Sequence, residues 1–170
     1  MAEPLFGQGF FHVAPGVIYY TIVFDYRDEE EEYYELLRKG GGAVAEEERR
    51  LAREMQGELD REKMLINGAR VAPRVVAARI GVRGEPDRSF ATFLVEIPWS
   101  PRRGANVYED YYEPDVAEYD YVVYWLFPEG ARVRAYDMPG DVSVDGRILT
   151  VSVRANTRVP GYESIIFEMP

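Results

Sequence analysis

The chain opens on two apolar runs, Gly9–Val13 and Val17–Tyr26, separated by Ala14-Pro15-Gly16. Pro-Gly between apolar runs is a turn signal, and the pattern predicts a β-hairpin over about residues 1–27. On the second run Ile18, Tyr20, Ile22 and Phe24 share one face, and Val17, Tyr19, Thr21 and Val23 share the other. Both faces are apolar, so this strand is expected to lie inside a sheet or to be covered twice.

The period then changes. From Asp28 to Lys63 the chain is charged, and its apolar residues recur at helical spacing. Asp28 with Glu31 reads as a capping box, the glutamates at 29–32 suit the positive end of a helix dipole, and Arg38-Lys39 suit the other end. Gly40-Gly41-Gly42 stops this first helix. A second is predicted over 44–64, with Val44, Leu51, Met55, Leu59 and Ile66 on one thin stripe. Val44, Leu51, Met55 and Leu59 either pack on the chain's own sheet or meet a partner in a coiled-coil-like contact.

From about residue 65 alternation returns. Asn67-Gly68 predicts a tight turn. Along Val75–Val82 the pattern turns Val76, Ala78, Ile80 and Val82 inward and Arg79 outward, with Arg83 on the same outer side. Phe90–Ile97 places Ala91, Phe93, Val95 and Ile97 on one face. Tyr119–Phe127 is the strongest strand, with Tyr119, Tyr121, Val123, Trp125 and Phe127 together. Shorter strands are predicted near 131–136, 148–154 and 163–168, between Pro-Gly and Asp-Gly turns. The stretch from Leu126 to the end is similar to generic immunoglobulin-like and other sandwich modules, without a family signature. No functional residue carries over from that likeness. The expected fold is one α+β domain over 1–170: an antiparallel β-sandwich or barrel with a two-helix hairpin (28–64) inserted between a β-hairpin (1–27) and a β-rich core (65–170).

Composition narrows the function. Net charge is −10, and residues 28–63 alone carry 13 acids and 7 bases. Such a chain disfavours nucleic acid, although the arginines at 70, 74, 79 and 83 invite the question. No cysteine is present, which removes disulfides, thiolate metal sites and cysteine nucleophiles. Arginine outnumbers lysine 18 to 2, while Asn (3) and Gln (2) are scarce. That usage fits a thermophile, or a GC-rich genome. The N-terminus lacks a signal-peptide pattern and no apolar run is long enough to span a bilayer, so the expectation is a cytoplasmic protein, or an extracellular one if a signal or anchor was removed.

Candidate chemistry is sparse. His12 is the only histidine, and no serine sits in a nucleophile elbow. Neither Gly7-Gln8-Gly9 nor the triple glycine completes a phosphate-loop motif. The densest polar stretch is 104–130, with seven acids and no base. Read as a loop, Glu109, Asp110, Glu113 and Asp115 are candidate ligands for Ca2+, the one cofactor the sequence suggests. The interleaved Tyr108, Tyr111, Tyr112 and Tyr119 are candidates for a ligand groove. The simpler expectation is that these acids pair with the seven arginines of residues 70–103. With no reactive set visible, the leading expectation is a non-enzymatic binding or assembly module that contacts another protein or a second copy. The alternatives are a small-ligand or carbohydrate-binding protein, including a hydrolase, with an acidic tyrosine-rich site, and a cell-surface structural protein.

Overall fold

The computed structural model describes residues 1–170. In chain order the elements are β1 (Glu3–Ala14), β2 (Val17–Arg27), α1 (Glu32–Lys39), α2 (Gly42–Arg61), β3 (Lys63–Ile66), β4 (Ala69–Arg70), β5 (Arg74–Val82) and β6 (Arg88–Pro98). They continue with β7 (Gly104–Tyr111), β8 (Asp115–Val116), β9 (Asp120–Leu126), β10 (Arg132–Asp137), β11 (Asp141–Asp145), β12 (Ile148–Val153), β13 (Arg158–Val159) and β14 (Tyr162–Met169). Seven strands form one sheet in the order β11-β12-β9-β1-β2-β6-β5, and five form a second in the order β10-β14-β7-β3-β4. The two sheets face each other across one hydrophobic core, so the fold is α+β with an inserted helical hairpin. Neither sheet closes on itself, which makes the fold a sandwich and not a barrel. The remaining pair, β8 with β13, is a short clip at the periphery. No helix is long and apolar enough to cross a membrane.

The opening hairpin forms as its pattern predicts, and β2 lies inside the large sheet between β1 and β6. Gly16 takes the left-handed conformation at the turn (φ 87°), where a Cβ is disfavoured. The other neighbour of β1 is β9, and this pairing is parallel, the one exception to an otherwise antiparallel arrangement. It puts Phe11 directly beside Trp125.

Four local expectations need correction. Asp28 does not form a capping box with Glu31. Glu31 is itself left-handed (φ 54°), and the buried Asp28 reaches forward so that its carboxylate accepts the Tyr33 N–H at 2.9 Å. Val76 does not point inward, because a bulge between Val75 and Ala77 resets the alternation and leaves it 54% exposed. Residues 104–111 are not loop but the strand β7, which lies between β14 and β3. The arginines of 70–103 do not pair with the acids of 104–130. Arg74 pairs with Glu96, Arg79 with Glu48 and Arg83 with Asp25, on neighbouring strands and on α2.

The charged block closes one side of the sandwich. Leu51 and Leu59 are buried, and Val44 and Met55 pack against the same core. α2 lies along the edge strand β5. Gln56 accepts the Val75 N–H at 2.8 Å and donates to the Pro73 carbonyl at 3.0 Å, while Glu48 accepts the Ile80 N–H at 3.2 Å. An exposed edge would present those groups to another chain, and the helix occupies them instead. Replacing Gln56 with leucine leaves the Val75 N–H and Pro73 carbonyl unpaired beneath the helix. Chemical denaturation of Gln56→Leu is expected to show a loss of about 1–3 kcal/mol. An unchanged midpoint would mean that the helix does not seal this edge.

Candidate functional site

The centre of the sandwich is a column of aromatic rings built by strand register. Phe11 lies opposite Tyr20 on β2 and opposite Trp125 on β9. Its ring stacks on both, with centroids 3.7 and 3.9 Å away and interplanar angles of 11° and 4°. Tyr108, from the facing sheet, packs on Trp125 at 4.6 Å. The column continues through Phe127, Phe167 and Trp99, with the Trp99 indole N–H donating to the Ala14 carbonyl at 2.8 Å.

Toward the other end the rings stop, and a cavity of about 190 Å³ remains between the sheets. Its aromatic wall is Phe11, Tyr20, Tyr121 and Trp125 from one sheet and Tyr108 from the other, with Tyr112 beside them. Three carboxyls also line it: Glu62, directly after α2; Asp110, on β7; and Glu163, on β14. Asp110 and Glu163 are direct cross-strand partners, a like-charge pairing that ordinarily weakens a sheet. The lining contains no lysine, arginine or histidine.

The site has consequences for protonation. Burial, reinforced by the charge of Asp110, pushes Glu163 up to about 7, against a smaller downward pull from the Tyr108 hydroxyl, which donates to it at 3.4 Å. Part of the Glu163 residue reaches solvent, but its carboxyl lies among the cavity walls. Glu62 and Asp110 face each other within hydrogen-bonding reach, and burial raises both above the ordinary carboxylate range. One proton shared between them satisfies that geometry. Burial, with the three carboxyls behind it, also raises Tyr20 and Tyr108, so both keep their hydroxyl protons at neutral pH.

A second hollow, of about 210 Å³, adjoins the cavity and shares Tyr20, Tyr121 and Val123 with it. Gly7 and Gly9 form its floor. A Cβ on Gly9 would lie 3.2 Å from the Tyr20 ring, and one on Gly7 would lie 3.3 Å from Tyr119 and Tyr121, so the glycines leave room for the tyrosines. No acid lines this slot.

The residues singled out in the sequence divide between this site and the surface. Tyr108, Tyr112 and Asp110 line the cavity, and Tyr119 lines the slot. Tyr111 points outward, packs on Tyr162 and is 42% exposed. The proposed calcium ligands do not converge. Strand alternation sends Asp110 inward and Glu109 outward, where it accepts from the Tyr111 and Tyr162 hydroxyls, while Glu113 and Asp115 are exposed beyond the strand. No three His, Asp or Glu side chains in the structure approach closely enough to hold a metal ion. His12 is exposed on the outer face of the large sheet. The sequence reading missed Glu62 and Glu163. A period-two signal for Glu163 was present, since it precedes Ile165 and Phe167 on the inward face of β14.

No protein-family model matches the sequence, and no curated protein matches it. Among solved structures, the chain is similar to yeast LTA4 hydrolase, determined in complex with bestatin. The TM-score is 0.34 and the identity 8%, over 99% of this chain and 28% of that one. A likeness at that level carries no argument about activity.

The carboxyls set a pH dependence with a definite sign. A group whose folded-state pKa is raised holds its proton in the native state after the unfolded chain has lost it. Stability contributed by Glu163 therefore falls as pH rises from the ordinary carboxylate range to about 7, and is flat above. The Glu62–Asp110 pair adds to the same fall. Glu47, held low chiefly by its hydrogen bond to Arg50, acts below this window. Urea denaturation between pH 5 and 8 is expected to show declining stability for the native chain. Glu163→Gln should flatten the decline and gain about 1–3 kcal/mol at pH 8. A native chain equally stable across that range would contradict the assignment.

Proposed function

We propose that the protein is a non-enzymatic binding module that holds a small ligand between its sheets, in the tyrosine- and carboxylate-lined cavity. The observation that carries this reading is the cavity itself. Aromatic and aliphatic side chains pack the core around it, yet the aromatic column stops where three carboxyls and four tyrosines converge. Concave, mostly apolar sites with a few convergent polar groups are where proteins hold small molecules. The size suits one ring-sized molecule, since a cavity of ~150 Å³ holds benzene. Turnover of a glycoside is less well supported. That reaction needs two carboxyls flanking the scissile bond, and here all three lie at one end, with none in the adjoining slot.

The reading is tested by screening small molecules by NMR, with Val123→Phe as the control. Val123 lines both cavity and slot, so the larger side chain fills the space that a ligand would take. Ligands are expected to shift the resonances of Tyr108, Tyr121 and Trp125 in the native chain and to leave the variant unchanged. Binders that shift surface residues equally in both proteins would contradict it.

A second reading, self-association, is favoured by the outer face of the large sheet. Phe10 stacks on Tyr124 there at 5.3 Å, and Phe10, Tyr19, Leu94 and Ile148 are exposed. Of the acids at outward positions of the central strands, Glu96 pairs with Arg74 and Asp25 with Arg83, and Asp120 lies at the start of β9, so the apolar middle of this face carries little unpaired charge to oppose a second copy of a −10 chain. Light scattering of concentrated protein is expected to report a dimer that Leu94→Arg returns to monomer. A strict monomer at high concentration would remove this reading.

A further inference from the structure

Asp110 is 5% exposed, and its Oδ1 receives no hydrogen bond. Nearby strand positions show what this chain does when such a group is structural. Asn106 lies on the same face of β7 and is fully buried. It donates to the carbonyls of Arg102 and Gly104 and accepts from the Arg102 N–H and the Asn67 side chain. Asp110 has no comparable set of donors: it shares the cavity with two more carboxyls and with tyrosines, none of which donates to its Oδ1. The one donor within reach inside the cavity is the proton shared with Glu62, and once that proton is lost a donor to Asp110 has to come from outside the chain.

The surroundings specify its chemistry. Three carboxyls with no basic side chain in the lining favour a cation. Their spacing does not suit a metal ion, which needs three or more ligands at ~2.0–2.6 Å. An ammonium group bonds through hydrogens at ~2.7–2.9 Å and accepts carboxyls spread around it. Tyr121, which stacks on no other ring, lines the same cavity, and an aromatic face attracts a cation as well. The slot over Gly7 and Gly9 is apolar and free of charge, a place for a flat hydrocarbon tail.

We infer that the cavity takes a small organic ammonium ion, its head on Asp110 between Glu62 and Glu163 and its apolar tail lying across the tyrosines into the slot. This rests on the reading of the cavity as a ligand site. Binding draws the carboxyls toward their ionised forms, so protons are released as the cation enters.

Isothermal titration with three probes of one shape tests it: 2-phenylethylammonium, neutral 2-phenylethanol and anionic phenylacetate. The ammonium is expected to bind at one site, at least tenfold more tightly than the alcohol, with no binding of the anion. Its heat should vary with the ionisation enthalpy of the buffer, which reports the released protons. Asp110→Asn keeps the shape and removes the charge, and should weaken the ammonium at least tenfold while leaving the alcohol unaffected. Glu163→Gln is the second variant, expected to act in the same direction if Asp110→Asn fails to fold. An alcohol that binds as tightly as the ammonium, in a manner abolished by Val123→Phe, overturns the ammonium assignment and leaves the cavity reading intact. Failure of all three probes to bind overturns both.

Discussion

The structure depends on filling the space between two sheets with aromatic rings. Strands lie ~4.8 Å apart, and a ring on one strand stacks on its direct neighbours when register aligns them. The parallel pairing of β1 with β9 supplies that alignment, bringing Trp125 beside Phe11 while the hairpin brings Tyr20 to its other side. A shift of one residue along β1 would put His12 into the column and Phe11 outside it. Register, core and site position therefore follow from one contact. The column also fixes where the interior is not filled, because the polar end of β7 begins where the rings end.

The charged helical block has two roles in this arrangement. Its thin apolar stripe closes the side of the sandwich, and its polar side chains satisfy the edge of β5. Much of its charge is spent locally, in exposed pairs such as Arg50 with Glu47 and Glu54 and Arg61 with Glu58. Pairs of that kind stabilise by ~0–1 kcal/mol each. Their greater effect is to keep the acidity of the helix at the surface. The acid of this region that lines the cavity is Glu62, beyond the helix end, where the chain turns inward to begin β3.

Much of the fold was legible in the sequence because alternation and turn chemistry agree along most of it. The opening hairpin, β6 and β9 follow their apolar faces, and Ala91, Phe93, Val95 and Ile97 are all buried. The errors occur where a local rule is overridden. At Val76 a bulge breaks the period. Asp28 reaches Tyr33 instead of the predicted position because Glu31 adopts a left-handed conformation. β7 was hidden by its acids, since Glu109 and Asp110 resemble a solvated loop until Asn106, Tyr108 and Asp110 are seen to share a face. Of the site, the tyrosines and Asp110 were visible as a stretch of sequence. Glu62 and Glu163 come from distant segments, and only the pairing of β14 with β7, and of β7 with β3, brings them together.

The central claim is that three carboxyls share an aromatic cavity with no cation of the chain's own to balance them. Carbon-13 NMR of the side-chain carboxyls across pH measures this directly, group by group. The account predicts a midpoint near about 7 for Glu163 and midpoints above the ordinary carboxylate range for the Glu62–Asp110 pair. If all three titrated near 4, as solvated carboxyls do, the cavity would be wet and open, and the account would be wrong.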